Sequence, residues 1–338
     1  MTQWLKEKGL KDTWCNLCFL FIAIEILLSI FIMTFHKLSG TTFSVQIDLG
    51  NIGLSPFSEG HFLGTDHLGR DVLKQLFFGT KNTLFLSFMG TLLGSFVGIT
   101  FGCFSGYFGD DKLKIKAAKF WIGGFLIIGL AFYAFNINTF RFSVLIDLLL
   151  PSAFLASVSL LIFLLIKSKK QIPIPFDLYV VRVVEVYSTI PPIFIIILLS
   201  SILRPSPALF IIYCVAAMWP EFFFLSRAEL LKTKNQTYID AARVIGQRNI
   251  PIVFRHIFPN MFQSLLVLFA FAFARLLVIE STLSFLGIGL PAQYPGWGKL
   301  IASFQMNTDY WWLLLFPGLL IFINVLCIQK IGRKLREN

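Results

Sequence analysis

The sequence predicts an all-α protein that is integral to a membrane. Of its 338 residues, 56% are hydrophobic and only 14% are charged, and the mean hydropathy is +0.77. A soluble globular protein has about 25% charged residues, so this chain could not cover a surface that faces water. The hydrophobic residues form long continuous runs and do not alternate with polar residues, which argues against a transmembrane β-barrel. A bundle of membrane-spanning helices is the fold that remains.

Eight segments are apolar and long enough to be candidate spans, because a helix needs about 20 mostly apolar residues to cross the hydrocarbon. They are Asn16 to Phe35, Thr83 to Ser105, Phe120 to Phe135, Ser143 to Ile166, Val183 to Leu203, Ala208 to Leu225, Met261 to Ile279 and Tyr310 to Ile328. We expect the first to be a retained anchor, since its apolar run exceeds the core of a secretory signal and no small-residue cleavage site follows.

The positive charges predict the orientation of these spans. The net charge is +11, which on a soluble protein would suggest a nucleic-acid partner. In a membrane protein, Lys and Arg collect in the cytoplasmic loops. With the N-terminus inside, 21 of the 29 basic residues lie inside, 7 lie outside, and Arg275 lies within a span. Both termini are therefore predicted to be cytoplasmic, and no nucleic-acid partner is expected.

Sites for chemistry are not evident in the sequence. The phosphate-binding motif Gly-x-x-x-x-Gly-Lys-Ser/Thr is absent, so we expect no ATP hydrolysis by that route. Cys15 and Cys18 have a metal-like spacing but no second pair, and apolar packing is the favoured interpretation. We predict no catalytic residues, no metal and no cofactor bound by this chain.

Two charged residues fall in or near the seventh span. Arg275 lies inside it, where a charge costs about 2.5 kcal/mol or more unless it meets a partner or water. Glu280 lies five residues further on, which is a poor spacing for a pair within the helix, so Glu221 or a residue of another chain is a better partner for Arg275. Two interpretations remain open. Either Arg275, with Glu280, is a charge on a translocation path, or Arg275 has a structural role.

Glycines at a strict spacing of four predict a close helix contact in the second span. Gly90, Gly94, Gly98, Gly102 and Gly106 fall on one slowly drifting stripe of a helix. Small residues in such a stripe let another helix approach closely.

The predicted cytoplasmic loop 227–260 has the most informative pattern. Tyr238, Asp240, Ala241, Ala242 and Gly246 predict a short helix with a small-residue face that ends at the glycine, and the later part of the loop includes Ile257, Pro259 and Asn260. This pattern resembles the Glu-Ala-Ala loop of the membrane subunits of ABC importers, with Asp240 in place of the usual Glu. The resemblance implies that the loop docks on an ATP-hydrolysing subunit.

Further segments resemble the C-type permease subunit of dipeptide, oligopeptide and nickel importers. One, predicted to lie outside, contains Gly64, Thr65, Asp66, Gly69, Arg70 and Asp71. Another follows the seventh span, from Glu280 through Gly289 to Trp297 and Gly298, and shorter matches include Gly106 to Gly109 and Asp177 with Arg182, Glu185 and Pro191. The resemblance implies a type I importer permease fold.

The chain departs from that family by an insert. In the family, the element Gly106 to Gly109 runs almost directly into the Asp177 helix, whereas here residues 111–176 intervene. We predict an inserted helical hairpin in 111–176, an anchor and extracytoplasmic segment in 1–82, a permease core in 83–110 and 177–328, and a cytoplasmic tail in 329–338. Six spans then match the family and two are additional.

The resemblance implies four kinds of partner in a bacterial inner membrane. They are a B-type permease, two ABC ATPase subunits that use the ATP, an extracytoplasmic substrate-binding protein, and membrane lipid. The expected substrate is a di- or oligopeptide; the alternatives are nickel or another small chelate and, at the level of protein class, a secondary transporter that works alone.

Overall fold

A computed structural model describes residues 13–28, 31, 47–58, 60–109, 114–116, 171–173, 175–202, 206–247, 249–289, 291 and 294–337. The chain divides into two compact units, Met1–Phe104 with Val184–Asn338, and Ser105–Val183.

The described chain is mainly helical. Its long helices are α2 (Val72–Phe108), α5 (Pro207–Lys234), α8 (Phe258–Phe285) and α10 (Trp312–Glu337). The shorter ones are α1 (Thr13–Leu28), α3 (Phe176–Ser188), α4 (Pro192–Ile202), α6 (Thr237–Val244), α7 (Asn249–Ile252) and α9 (Trp297–Ser303). A π-helical turn (Val253–Ile257) joins α7 to α8, and a 3-10 turn (Phe304–Met306) follows α9.

Four of the described helices are long and apolar enough to cross a membrane, and the pair α3 and α4 brings the number to five at most. These four correspond to the predicted second, sixth, seventh and eighth spans. The predicted third and fourth spans, in the insert, lie outside the described residues. Helix α2 begins eleven residues earlier than its predicted span. The additional residues, Val72 to Asn82, are helical although they are mixed in polarity.

The predicted fifth span, Val183–Leu203, is broken in the structure. The segment forms α3 and α4, which are bent by 79° at a short break. Pro191 and Pro192 explain the break, because proline has no N–H to donate and disfavours a helical conformation in the residue before it. Pro220 and Pro317, in contrast, lie inside the continuous helices α5 and α10.

A short strand pair in the second unit departs from the all-helical prediction. Strand β1 (Lys114–Lys116) pairs antiparallel with β2 (Gln171–Pro173), with Lys114 opposite Pro173. The two ends of the insert therefore lie side by side. In the same unit, the hydroxyl of Ser105 donates to Asp177 at 2.5 Å, and both side chains are buried.

Two clusters of buried side chains hold the first unit together. One joins α2, α8, α9 and α10 around Trp297, Leu277 and Trp312. The other joins α2, α4, α5 and α8 around Ile196, Met218 and Leu276. The packing of these helices sets the positions of the ends of the segments that connect them, including 47–71 and 235–257.

Candidate functional site

The segment between α5 and α8 presents apolar side chains to its surroundings. In α6, Ile239 and Ala242 are buried, so one face of the helix packs on the protein. At its end, Val244 is 87% exposed and Ile245 is 80% exposed. We call these two residues the exposed apolar pair. They lie outside the long apolar helices, so membrane contact is not the evident reason for their exposure.

Gly246 ends α6 in the way that the sequence predicts. Its φ is +85°, a left-handed conformation that suits glycine because a side chain would be strained there. The N–H of Gln247 donates to the carbonyl of Ala242 at 3.1 Å, which is the bond of a Schellman cap. The cap holds Ile245 at the tip of the helix.

Contacts between the two sides of the segment keep it ordered. The side-chain amide of Asn260 donates to the hydroxyl of Tyr238 at 2.8 Å and to the carbonyl of His256 at 2.9 Å. Ile257 is buried, whereas Pro259 is exposed in the first turn of α8. The predicted loop 227–260 is shorter in the structure, because residues as far as Lys234 continue α5.

Asp66 is the centre of a buried polar cluster in segment 47–71. Its carboxylate is fully buried and accepts four hydrogen bonds, from the backbone N–H groups of Leu68 and Arg70, from Arg70 Nε at 2.7 Å and from Gln75 Nε2 at 2.9 Å. All the acceptor positions of this side chain face protein groups. Asp66 therefore has a structural role here, because its hydrogen bonds hold segment 47–71 against the start of α2.

The other residues of this motif anchor the same segment. Thr65 accepts from Leu54 N, donates to Asn51 O, and its carbonyl accepts from Trp312 Nε1 at 3.0 Å. Asp71 caps α2 by accepting from Lys74 N and contacts His61 Nδ1 at 2.7 Å. Gly64 and Gly69 both have positive φ, and a Cβ at either position would collide with backbone atoms.

The glycine stripe of α2 faces α5. Added Cβ atoms at Gly90 and Gly98 would come within 2.6 Å of the Cβ atoms of Cys214 and Phe222. A Cβ at Gly94 would meet Met218, and one at Gly102 would collide with Ser226. The four partners are also spaced by four residues, so two matching stripes pack together; Gly106 belongs to the other unit.

Arg275 and Glu280 are not partners of each other. The guanidinium of Arg275 donates to the Glu221 carboxylate, across α8 and α5. Glu280 is buried and accepts from Ser284 Oγ at 2.8 Å. The pair of Arg275 and Glu221 is open to the surroundings, with side chains 45% and 33% exposed, whereas Glu280 is buried.

Two polar positions were missed from the sequence. In α1, Glu25 is buried and accepts from Thr80 Oγ1 at 3.2 Å and Asn324 Nδ2 at 2.9 Å, so it joins three helices. An acidic residue within a predicted apolar span could have indicated a buried polar contact, because an unpaired charge there is costly. In α9, Lys299 donates to the carbonyls of Pro291 and Tyr294. Burial lowers the pKa of Lys299 to about 8; nearby Glu280 opposes this shift and Arg70 adds to it.

The helices and their buried polar clusters define a multi-pass helical membrane protein. The family described as binding-protein-dependent transport system inner membrane component matches residues 171–333. The similarity to this family thus covers just under half of the chain. The match includes α3 to α10 up to Arg333, with the segment 235–257, but neither segment 47–71 nor α2.

Curated relatives match about half of the chain. A peptide transport system permease protein of Brucella suis is 39% identical over 163 residues, 48% of this chain and 55% of that protein. The inner membrane ABC transporter permease protein YejE of Escherichia coli K12 is 33% identical over 161 residues, 48% of this chain and 47% of that protein. The dipeptide transport system permease protein DppC of the same organism is 30% identical over 159 residues, 47% of this chain and 53% of that protein.

The chain thus spans about half the length of the curated relatives it matches. Among solved structures, inward-facing conformations of the MetNI methionine ABC transporter are similar with a TM-score of 0.37 and 16% identity, over 72% of this chain and 94% of that one.

Proposed function

We propose that this chain is the transmembrane permease subunit of an ATP-driven importer of di- or oligopeptides. The observation that carries the proposal is the family domain over residues 171–333, whose relatives have names of peptide and dipeptide transport permeases. The fold class proposed with it is the type I importer permease, with both termini in the cytoplasm. The chain contributes no ATPase site of its own, and the ATP is used by partner subunits.

The exposed apolar pair supports an ATPase-docking role for the segment between α5 and α8. Val244 and Ile245 are held at the tip of a capped helix by Gly246, with Ile239 buried behind them. Apolar side chains presented in this way suit a groove on a second protein. Closure of an ATPase pair beneath would move this helix and, through α5 and α8, the spans that it joins.

The remaining partners follow from the same proposal. A B-type permease pairs with this chain, and the translocation path lies between the two. The partly exposed pair of Arg275 and Glu221 suits a surface that faces this path, because a charge pair open to lipid would be costly. An extracytoplasmic binding protein delivers the substrate to the segments 43–82 and 281–308.

We also propose that residues 111–176 form a helical hairpin with both ends in the cytoplasm. The antiparallel pairing of Lys114 with Pro173 supports it, because adjacent ends require an even number of crossings. Labelling of single cysteines placed at Asn138 and Ser168 tests the hairpin. Accessibility of the two positions from opposite sides of the membrane is expected, and accessibility from one side contradicts the hairpin.

Reconstitution tests the proposed function. The chain is placed in liposomes with its candidate permease partner, the ATPase subunits and the binding protein, and uptake of a labelled peptide is measured with and without ATP. Uptake is expected only with the complete set and ATP. Uptake by this chain alone, indifferent to ATP, would identify a secondary transporter instead.

A further inference from the structure

An apolar groove of about 740 Å³ lies between α1, α2, α8 and α10. Its walls include Ile26 of α1, Phe85 and Phe88 of α2, Phe269 of α8 and Ile331 of α10. The volume is in the range of about 300–1,000 Å³ that is typical of small-molecule sites. Phe85 is 50% exposed, so the groove is open to the surroundings of these helices.

Two of the residues that line the groove are polar, Thr80 and Lys81. The hydroxyl of Thr80 is already used, because it lies within hydrogen-bond distance of both Glu25 and the Leu76 carbonyl. Lys81 is exposed, and no ion pair to it occurs within the part of the chain that the structure describes. An ammonium group therefore stands beside an otherwise apolar surface.

This combination specifies the chemistry of an occupant. An ammonium group beside apolar surface favours a nearby anion. The aromatic and aliphatic walls favour a long hydrocarbon chain, and three of the four helices that form them (α2, α8 and α10) are long and apolar enough to cross a membrane. A molecule with both parts, an anionic head and an acyl chain, is a phospholipid with a net negative charge.

We propose that this groove is a binding site for an anionic phospholipid, with an acyl chain along the groove and the phosphate at Lys81. The site is separate from the segment 235–257, and the proposal does not rest on the transport function. A helix of a partner permease is the competing occupant, and it would need an acidic side chain opposite Lys81.

Native mass spectrometry of the purified full-length chain tests the proposal. Phosphatidylglycerol and phosphatidylcholine of identical acyl chains are titrated separately. The anionic lipid is expected to bind about fivefold more tightly, which is the effect of one lysine near a net negative lipid, because the choline group of phosphatidylcholine cancels the charge of its phosphate. Lys81→Gln should abolish this preference, and Phe85→Glu, which places a carboxylate on the groove wall, should weaken both lipids. Lys74→Gln is the matched control, since Lys74 is exposed on α2 outside the groove lining.

Equal binding of the two lipids by the wild type, or a preference that survives in Lys81→Gln, would overturn the proposal. A second measurement separates lipid from protein occupants. The variant Phe85→p-benzoylphenylalanine, which has a photoreactive side chain in the groove wall, is irradiated in native membranes. The expected product is this chain with the added mass of a lipid. A crosslink to another polypeptide in place of that product would assign the groove to a protein interface.

Discussion

Arg275 of α8 donates a hydrogen bond to the carboxylate of Glu221 of α5, and this pair joins two long helices whose buried faces are otherwise largely apolar. Both side chains stay partly exposed. The pair therefore satisfies a charge that would be costly in hydrocarbon, and it gives the helix contact a polar surface.

Reversal of this pair should show that the two charges depend on each other. Arg275→Glu places two carboxylates together and should lower the melting temperature of the purified protein, as should Glu221→Arg. The double variant Arg275→Glu/Glu221→Arg restores the attraction, so we expect a coupling free energy of about 0.5–3 kcal/mol in a double-mutant cycle. Strictly additive effects would contradict the pairing.

The contact between the glycine stripe and α5 should be sensitive to one methyl group. A Cβ at Gly98 would come within 2.6 Å of Phe222 Cβ and still closer to a backbone oxygen. Gly98→Ala should therefore cost about 1–3 kcal/mol of the free energy of unfolding, through overpacking. Gly318→Ala is the control, because Gly318 in α10 has open space around its Cβ position. This control should be neutral or slightly stabilising. Equal effects of the two substitutions would argue against close packing at Gly98.

The Asp66 cluster should contribute strongly to stability. Asp66→Ala leaves the Arg70 guanidinium and three other donors without their acceptor, and the expected loss is about 3–5 kcal/mol. Thermal unfolding of the purified chain measures it. Asp309 is exposed, so Asp309→Ala should change the free energy of unfolding by less than about 0.5 kcal/mol. A small effect at Asp66 would rule out a structural role and favour binding.

Lys299 should make stability depend on pH in the alkaline range. Its pKa is about 8 in the folded protein and about 10.4 in an unfolded chain. Between these values the unfolded chain holds a proton that the folded protein has lost, so stability rises with pH. The melting temperature of the wild type, relative to that of Lys299→Met, should increase from pH 8 to pH 10. Lys74→Met should show no such difference from wild type, and parallel curves for Lys299→Met would contradict the shifted pKa.

The apolar runs were sufficient to predict α2, α5, α8 and α10, because continuous hydrophobicity of that length has few alternatives. The predicted fifth span is broken into α3 and α4, because Pro191 and Pro192 interrupt the helix despite the apolar residues around them. The start of α2 was missed because Val72 to Asn82 are mixed in polarity, and their helical state depends on the Asp71 cap and on packing against Trp297.

Pairings between distant residues were harder to predict than single positions. The spacing of Gly90 to Gly102 indicated a close contact but did not identify α5 as the partner. The sequence indicates Glu221 as a candidate partner of Arg275, since both are charged residues in or near predicted spans. The bonds of Glu25 to Thr80 and Asn324 join residues up to 299 positions apart, and no local pattern encodes such a contact.

The exposed apolar pair offers the most direct test of the account. Gly246 is a poor position for a test substitution, since its positive φ makes any side chain strained whether or not a partner docks there. Ile245→Asp changes only the exposed tip of α6, and Gln236→Asp adds the same charge at another exposed position of the segment.

Peptide uptake driven by ATP is then measured in proteoliposomes that contain each variant with its permease, ATPase and binding-protein partners. We expect Ile245→Asp to reduce uptake to background while membrane insertion and melting temperature stay at wild-type values. We expect Gln236→Asp to transport normally. Wild-type uptake by Ile245→Asp would contradict ATPase docking at this helix.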